Sequence, residues 1–153
     1  MGRGEESGWI VCFLKIKLLN PNCRPHRTHS TDSGLDLRAS IDRKIVLMPH
    51  ETVTIPTGIA IELPKGYEGQ IRPRSSFSKA GILSPLGTID NGYRGEVKVI
   101  LINTSDLRPC IIKPYERIAQ LVIAPVTIPT IEYVGVLEEA ERGDNGFGST
   151  GRI

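Results

Sequence analysis

Four short stretches of this sequence set charged, hydroxyl and aromatic side chains at close intervals. "RPRSSFSKAGI" (72–82) gathers Arg72, Arg74 and Lys79 around Ser75, Ser76 and Ser78. Charge, hydroxyls and backbone N–H groups together are what a polyphosphate needs. In "LGTIDNGYRGEVKV" (86–99), Asp90 and Tyr93 flank Asn91-Gly92. That dipeptide is the strongest short hairpin signal, because a type I′ turn needs positive φ at both central residues. Such a turn puts a carboxylate and an aromatic ring side by side at the rim of a sheet. The plainer reading is a surface Asp that only begins the turn. "DSGLDLRAS" (32–40) carries Asp36 between Leu35 and Leu37, an acid whose apolar neighbours point the other way along a strand. "YERIAQLV" (115–122) places Arg117 and Gln120 at the mouth of an apolar strand, where a purely structural strand would carry apolar residues.

The chain end, "ERGDNGFGSTGRI" (141–153), adds Arg142, Phe147, Ser149 and Thr150 among glycines. Glycine-rich termini usually fray as solvated slack. An aromatic, two hydroxyls and a cation at this spacing also describe a lid that orders only over a flat ring and a phosphate chain.

These residues need strands and turns to hold them. Sixteen Gly and 11 Pro interrupt the chain too often for an apolar period of 3.6 to persist, so helices should be scarce. Period-two runs occur instead: Cys12, Leu14, Ile16 and Leu18 alternate with Lys15 and Lys17, and Ile59, Ile61 and Leu63 repeat the pattern. "EVKVILIN" (96–103) and "RIAQLVIAPV" (117–126) are richer in apolar residues and predict central strands buried on both faces. Turn signals fall at Pro49-His50, Pro56-Thr57-Gly58, Pro64-Lys65-Gly66, Asn91-Gly92 and Lys113-Pro114. The pattern predicts an all-β, single-domain sandwich or barrel of many short strands.

At 153 residues the chain can bury a core without disulfides or a structural metal. With 19 Lys plus Arg against 17 Asp plus Glu, the charge balance argues against a nucleic-acid-binding surface. Three cysteines without a C-x-x-C pair fit a reducing, intracellular compartment, the cytoplasm first and the nucleus second. The early apolar run, Trp9 to Leu14, is too short for a membrane span or a signal-peptide core.

Three tempting constellations fail. Gly143, four residues, then Gly148-Ser149-Thr150 imitates a P-loop, but Ser149 stands where lysine belongs and no helix fits in the remaining three residues. Cys23, His26 and His29 lack a fourth metal ligand at a suitable spacing. No nucleophile context surrounds His26, His29 or His50.

Taken in order, "DSGLDLRA", "RPRSSFSKAGI", "GTIDNGYRGEVKV", "ERIAQL" and "RGDNGFGSTG" resemble the trimeric dUTP pyrophosphatase (dUTPase) family, from Asp32 to Gly151. The resemblance implies a jelly-roll (β-clip) barrel over 14–137, a variable segment over 1–13 and a flexible C-terminal arm over 138–153. It implies a homotrimer with active sites shared between subunits. The reaction would be hydrolysis of dUTP to dUMP and pyrophosphate, which supplies dUMP for dTTP synthesis and keeps uracil out of DNA. Asp90 would orient and deprotonate the attacking water, with Gln120 helping to place it. Tyr93 would press on the deoxyribose and exclude a 2′-hydroxyl, and the backbone of Gly87, Thr88 and Ile89 would read the uracil edge. Arg74, Ser75 and Ser76 would hold phosphates. Phe147 would stack on the uracil while Arg142, Gly148, Ser149 and Thr150 close on the phosphates. Mg²⁺ would ride on the triphosphate with Asp36 behind a water, so that no residue ligates it directly.

Two departures stand out. The second motif commonly reads Ser-Gly-Leu where this chain has Ser75-Ser76-Phe77, so Ser76 adds a β-carbon where backbone approaches a phosphate. The turn before "ERIAQ" is "KPY", not the usual Gly-Asp. The alternatives are a dCTP deaminase-like enzyme of the same fold and a non-catalytic nucleotide-binding barrel. Asp90 and the whole arm argue against both.

Overall fold

The computed structural model describes residues 12–141 and Gly143. The strands in chain order are β1 (Lys15–Leu18), β2 (Gly34–Arg38), β3 (Ile45–Leu47), β4 (Thr52–Glu62), β5 (Tyr67–Pro73), β6 (Ile82–Leu83), β7 (Gly87–Ile89), β8 (Glu96–Asn103), β9 (Cys110–Ile112) and β10 (Arg117–Pro125). One short helix, α1 (Ser75–Lys79), and a 3₁₀ turn at Pro21–Cys23 complete them. The strands form two four-stranded sheets, β1-β4-β8-β6 and β2-β10-β5-β7, and a ribbon of β3 with β9. Every pairing is antiparallel. All three sheets give side chains to one core, including Leu37, Ile71 and Leu121 from one, Ile55, Val99 and Leu101 from another, and Leu47 with Ile112 from the ribbon. The architecture is the all-β jelly roll that the resemblance implies, and helix is as scarce as the patterning predicts.

Three local expectations are corrected. Asn91-Gly92 does not make a type I′ hairpin: neither residue has positive φ, and the turn closes with the Tyr93 N–H donating to the Asp90 carbonyl at 3.0 Å. The strands it joins, β7 and β8, lie in different sheets, so the twist that demands the mirror-image turn is absent. The Asn91 side chain instead ties the turn down, donating to the Pro64 carbonyl at 2.7 Å and the Tyr67 carbonyl at 3.3 Å.

Pro56-Thr57-Gly58 is not a turn between strands but an irregularity inside β4, where the ladder to β8 shifts between Pro56 and Ala60. Gly58 sits at φ +69°, with its N–H donating to a Glu96 carboxylate oxygen at 2.9 Å. A β-carbon there would come within 2.8 Å of Asn20 Cβ, so glycine serves both the conformation and the close approach.

β8 is central but buried on one face only. Val97, Val99, Leu101 and Asn103 point inward while Lys98 and Ile100 are exposed. The outward-facing Ile100 made an alternating strand read as a continuous apolar run. β10 does bury both faces, through Ile118, Ala119, Leu121 and Val122.

Candidate active site

The polar residues of "DSGLDLRAS", "RPRSSFSKAGI" and "YERIAQLV" meet on one sheet. Strand pairing sets Asp36, Gln120 and Arg72 in a single cross-strand row, Asp36↔Gln120↔Arg72. Directly paired residues share a face of the sheet. One Asp36 carboxylate oxygen forms an ion pair with Arg74 Nε at 3.0 Å and the other accepts from Arg117 Nη1 at 2.9 Å. The Asp36 side chain is only 17% exposed, so this arrangement matters: a shielded carboxylate persists as an ion only when paired. Arg74 also donates from Nη1 to the Arg117 carbonyl at 3.0 Å, which fixes its fork. Two guanidiniums against one carboxylate leave an excess positive charge on this face.

Arg74 precedes α1, the single helical turn that "RPRSSFSKAGI" forms where no helix was expected. Ser75 and Ser76 are its first two residues and both are exposed. Gln120 donates from Nε2 to the Pro73 carbonyl at 3.0 Å. Its amide lies so close to Gly34 that a β-carbon at that position would overlap Gln120 Oε1. Glycine at the head of β2 therefore makes room for the glutamine.

The second constellation is a groove of roughly 240 Å³ between β7 and the start of β8. Gly87, Thr88, Ile89, Asp90 and Tyr93 line it, together with Ile71, Glu96, Val97 and Lys98. The last four escaped the sequence reading. Lys98 is an alternate-face residue of an apolar strand, and only the pairing of sheets shows that it borders the Asp90 turn. Asp90 is exposed. Tyr93 donates its hydroxyl to the Glu96 carbonyl at 3.0 Å, and its ring lies against Gly95, where a β-carbon would overlap the ring's hydroxyl. The ring is thereby pinned as one wall of the groove.

The two constellations stand apart within one chain. β5 and β7 pair as Ile71↔Gly87, Gln70↔Thr88 and Gly69↔Ile89, so Asp90 lies beyond the Gly69 end while Arg72 and Arg74 lie at the other. From Glu68, the residue next along, to Arg72 is four residues, or about 13 Å of strand at ~3.3 Å each. Arg142, Phe147, Gly148, Ser149 and Thr150 lie outside the described residues.

The donor set bears on a metal. Both Asp36 oxygens are already paired with arginine, and among the described residues no three His, Cys, Asp or Glu side chains cluster to hold an ion. Each carboxylate oxygen retains a second lone pair that can accept from a water. The residues therefore fit a magnesium ion carried by a triphosphate and touched through water. Cys23 is buried and His26 and His29 are exposed, and they form no such cluster. Among the described residues, no helix is long and apolar enough to cross a membrane.

Comparison with known proteins follows the same residues. The family model for dUTPase matches residues 22–151. The deoxyuridine 5′-triphosphate nucleotidohydrolase of Hydrogenobaculum sp. (strain Y04AAS1) is 51% identical over 142 residues, covering 91% of this chain and 97% of the relative. Among solved structures, a mutant dUTPase of Staphylococcus bacteriophage 80alpha with dUpNHpp superposes with a TM-score of 0.79 at 32% identity, covering 92% of this chain and 99% of the other. A mutant dUTPase from phage phi11 of S. aureus, with a coordinated structural Mg(II) ion, gives a TM-score of 0.75 at 29% identity, covering 84% and 100%.

Proposed function

The chain belongs to the dUTPase family and hydrolyses dUTP to dUMP and pyrophosphate, and from that premise we propose how its residues divide the work. The observation that carries the reading is the Asp90–Tyr93 groove, which sets an exposed carboxylate and a pinned aromatic wall beside the strand backbone of Gly87, Thr88 and Ile89. The uracil edge meets that backbone, and the deoxyribose meets the Tyr93 ring, which leaves no room for a 2′-hydroxyl. Asp90 takes the proton of a water that attacks the α-phosphorus, and pyrophosphate leaves with the electron pair of the broken P–O bond. Gln120 helps to hold that water.

Arg74, Ser75 and Ser76 bind the phosphates as charge spreads over their oxygens. Asp36 keeps Arg74 and Arg117 in place and would hold, through water, a magnesium ion arriving with the triphosphate. That ion would supply charge neutralisation and set the phosphate conformation. The chain's own groups bind, orient and move the proton.

The active unit is a homotrimer whose sites combine groups from different chains. The ~13 Å between the Asp90 and Arg72 ends of β5 supports this, because one chain alone presents the two halves apart. Residues 126–141, which follow β10, support it too. Ile128, Ile131, Tyr133, Val136 and Leu137 in this stretch are each at least 73% exposed. An apolar stretch this bare calls for a partner surface. Arg142, Phe147, Gly148, Ser149 and Thr150 beyond it close over the bound nucleotide, with Phe147 on the base. The barrel over 14–137 is the folded unit, and 138–153 is the arm.

The testing experiment is a panel of dUTP, dCTP and UTP, with and without Mg²⁺, assayed for pyrophosphate and ammonia. Pyrophosphate from dUTP alone, dependent on Mg²⁺ and without ammonia, is the expected result. Ammonia from dCTP would move the chain to deaminase chemistry.

A further inference from the structure

His26 belongs to none of the five motifs, yet the fold sets it at the end of the polar row that holds Asp36. It makes an isolated antiparallel bridge to Asp36 in which both backbone bonds are exchanged, His26 N–H to the Asp36 carbonyl at 3.2 Å and Asp36 N–H to the His26 carbonyl at 2.7 Å. Residues paired in this way project their side chains from the same face of the sheet, about 5.5 Å apart at Cα. The row thus reads His26, Asp36, Gln120, Arg72 across four neighbouring segments. The imidazole is exposed and makes no side-chain hydrogen bond among the described residues. Asp36, its neighbour, has both oxygens occupied by Arg74 and Arg117 and does not capture it. An uncommitted N–H donor therefore stands in the same row as the carboxylate that pairs with the two guanidiniums, on the face where they leave excess positive charge.

We propose that His26 is a further substrate-binding residue, an imidazole donor to the phosphate chain of the nucleotide that acts beside Arg74. The proposal rests on the assignment of the Asp36–Arg74 face to the phosphates. Its chemistry is that of a hydrogen bond to an anionic oxygen, with no part in proton transfer at the reacting centre. Arg24 and Arg27, both exposed on the same segment, add to the positive field around the imidazole.

The test compares full-length wild type, His26→Ala, His26→Asn and Arg74→Ala in steady-state dUTP hydrolysis, with deoxyuridine as a phosphate-free inhibitor. His26→Ala should raise KM for dUTP about tenfold, as expected for one hydrogen bond to a charged group, with kcat little changed. The inhibition constant of deoxyuridine should stay at its wild-type value. His26→Asn keeps a side-chain N–H and should recover part of the loss. An unchanged KM in His26→Ala while Arg74→Ala raises it would overturn the role of His26 alone. Unchanged KM in both variants would overturn it together with the phosphate assignment of that face. Equal weakening of dUTP and deoxyuridine in His26→Ala would reduce His26 to a structural support of β2 and also overturn the proposal.

Discussion

Asp36 and Arg74 are joined by a 3.0 Å ion pair that links the middle of β2 to the residue before α1, and Arg117 closes on the other carboxylate oxygen from the start of β10. One acid thus orders two cations, and the three residues come from three separate parts of the chain. Its removal leaves two guanidiniums facing each other with nothing between them.

Asp36→Asn should therefore lower stability by about 1–3 kcal/mol and raise the Mg²⁺ concentration needed for half-maximal turnover. Urea denaturation at fixed protein concentration measures the first, and a Mg²⁺ titration of activity measures the second. A variant with wild-type stability would show that Arg74 and Arg117 do not depend on this carboxylate.

Asp90 is exposed and has no salt-bridge partner among the described residues, so Asp90→Asn should fold and melt as the wild type does. Turnover should fall by about 10²–10⁴, the usual contribution of a general base. Pyrophosphate release against binding of a non-hydrolysable dUTP analogue separates the two. Near-normal hydrolysis would take the base role away from Asp90.

Tyr93 is held by its hydroxyl bond to the Glu96 carbonyl and by its packing on Gly95. Tyr93→Ala should narrow the preference for dUTP over UTP in kcat/KM, while Tyr93→Phe, which keeps the ring, should preserve most of it. Unchanged discrimination in Tyr93→Ala would assign sugar selection to another residue.

The cysteines give a pH dependence whose sign follows from burial. Burial pushes the Cys23 thiol above its ordinary pKa, against the lowering effect of a hydrogen bond with Ser40, and burial also raises Cys110. A raised folded value means that the native chain keeps protons which the unfolded chain has begun to lose. This contribution to stability is complete below the unfolded thiol pKa of about 8.5 and is lost as pH rises through the higher folded values. Thermal midpoints from pH 7 to 10 should thus fall more steeply for wild type than for Cys23→Ala. In the native protein a thiol reagent should modify the exposed Cys12 first and Cys23 last. Rapid labelling of Cys23 would contradict its burial.

Much of this was legible from residue type and order. Glycine, proline and period-two patterning gave the strand class, and candidate residues could be named from short motifs because each motif is a local piece of strand or turn. What escaped was non-local. Asn91-Gly92 looked like a hairpin because its local chemistry permits one, but pairing of β7 with β5 overrode it. Gly58 looked like a turn because positive φ serves a bulge equally well. Lys98 and His26 reach their places through strand pairing, Lys98 with Pro56 and His26 with Asp36, which no local pattern encodes.

The central claim is that each active site draws on more than one chain. A chain ending at Glu141 and a full-length Asp90→Asn chain should each be inactive while still folding and assembling. Subunits of the two should then be exchanged, exchange verified, and dUTP hydrolysis measured. In random mixed trimers from equal amounts, about a quarter of all sites combine an intact Asp90 with an intact arm from another chain, so activity should return to about that fraction of wild type. Verified mixed trimers that remain inactive would confine each arm to the site of its own chain and contradict the account.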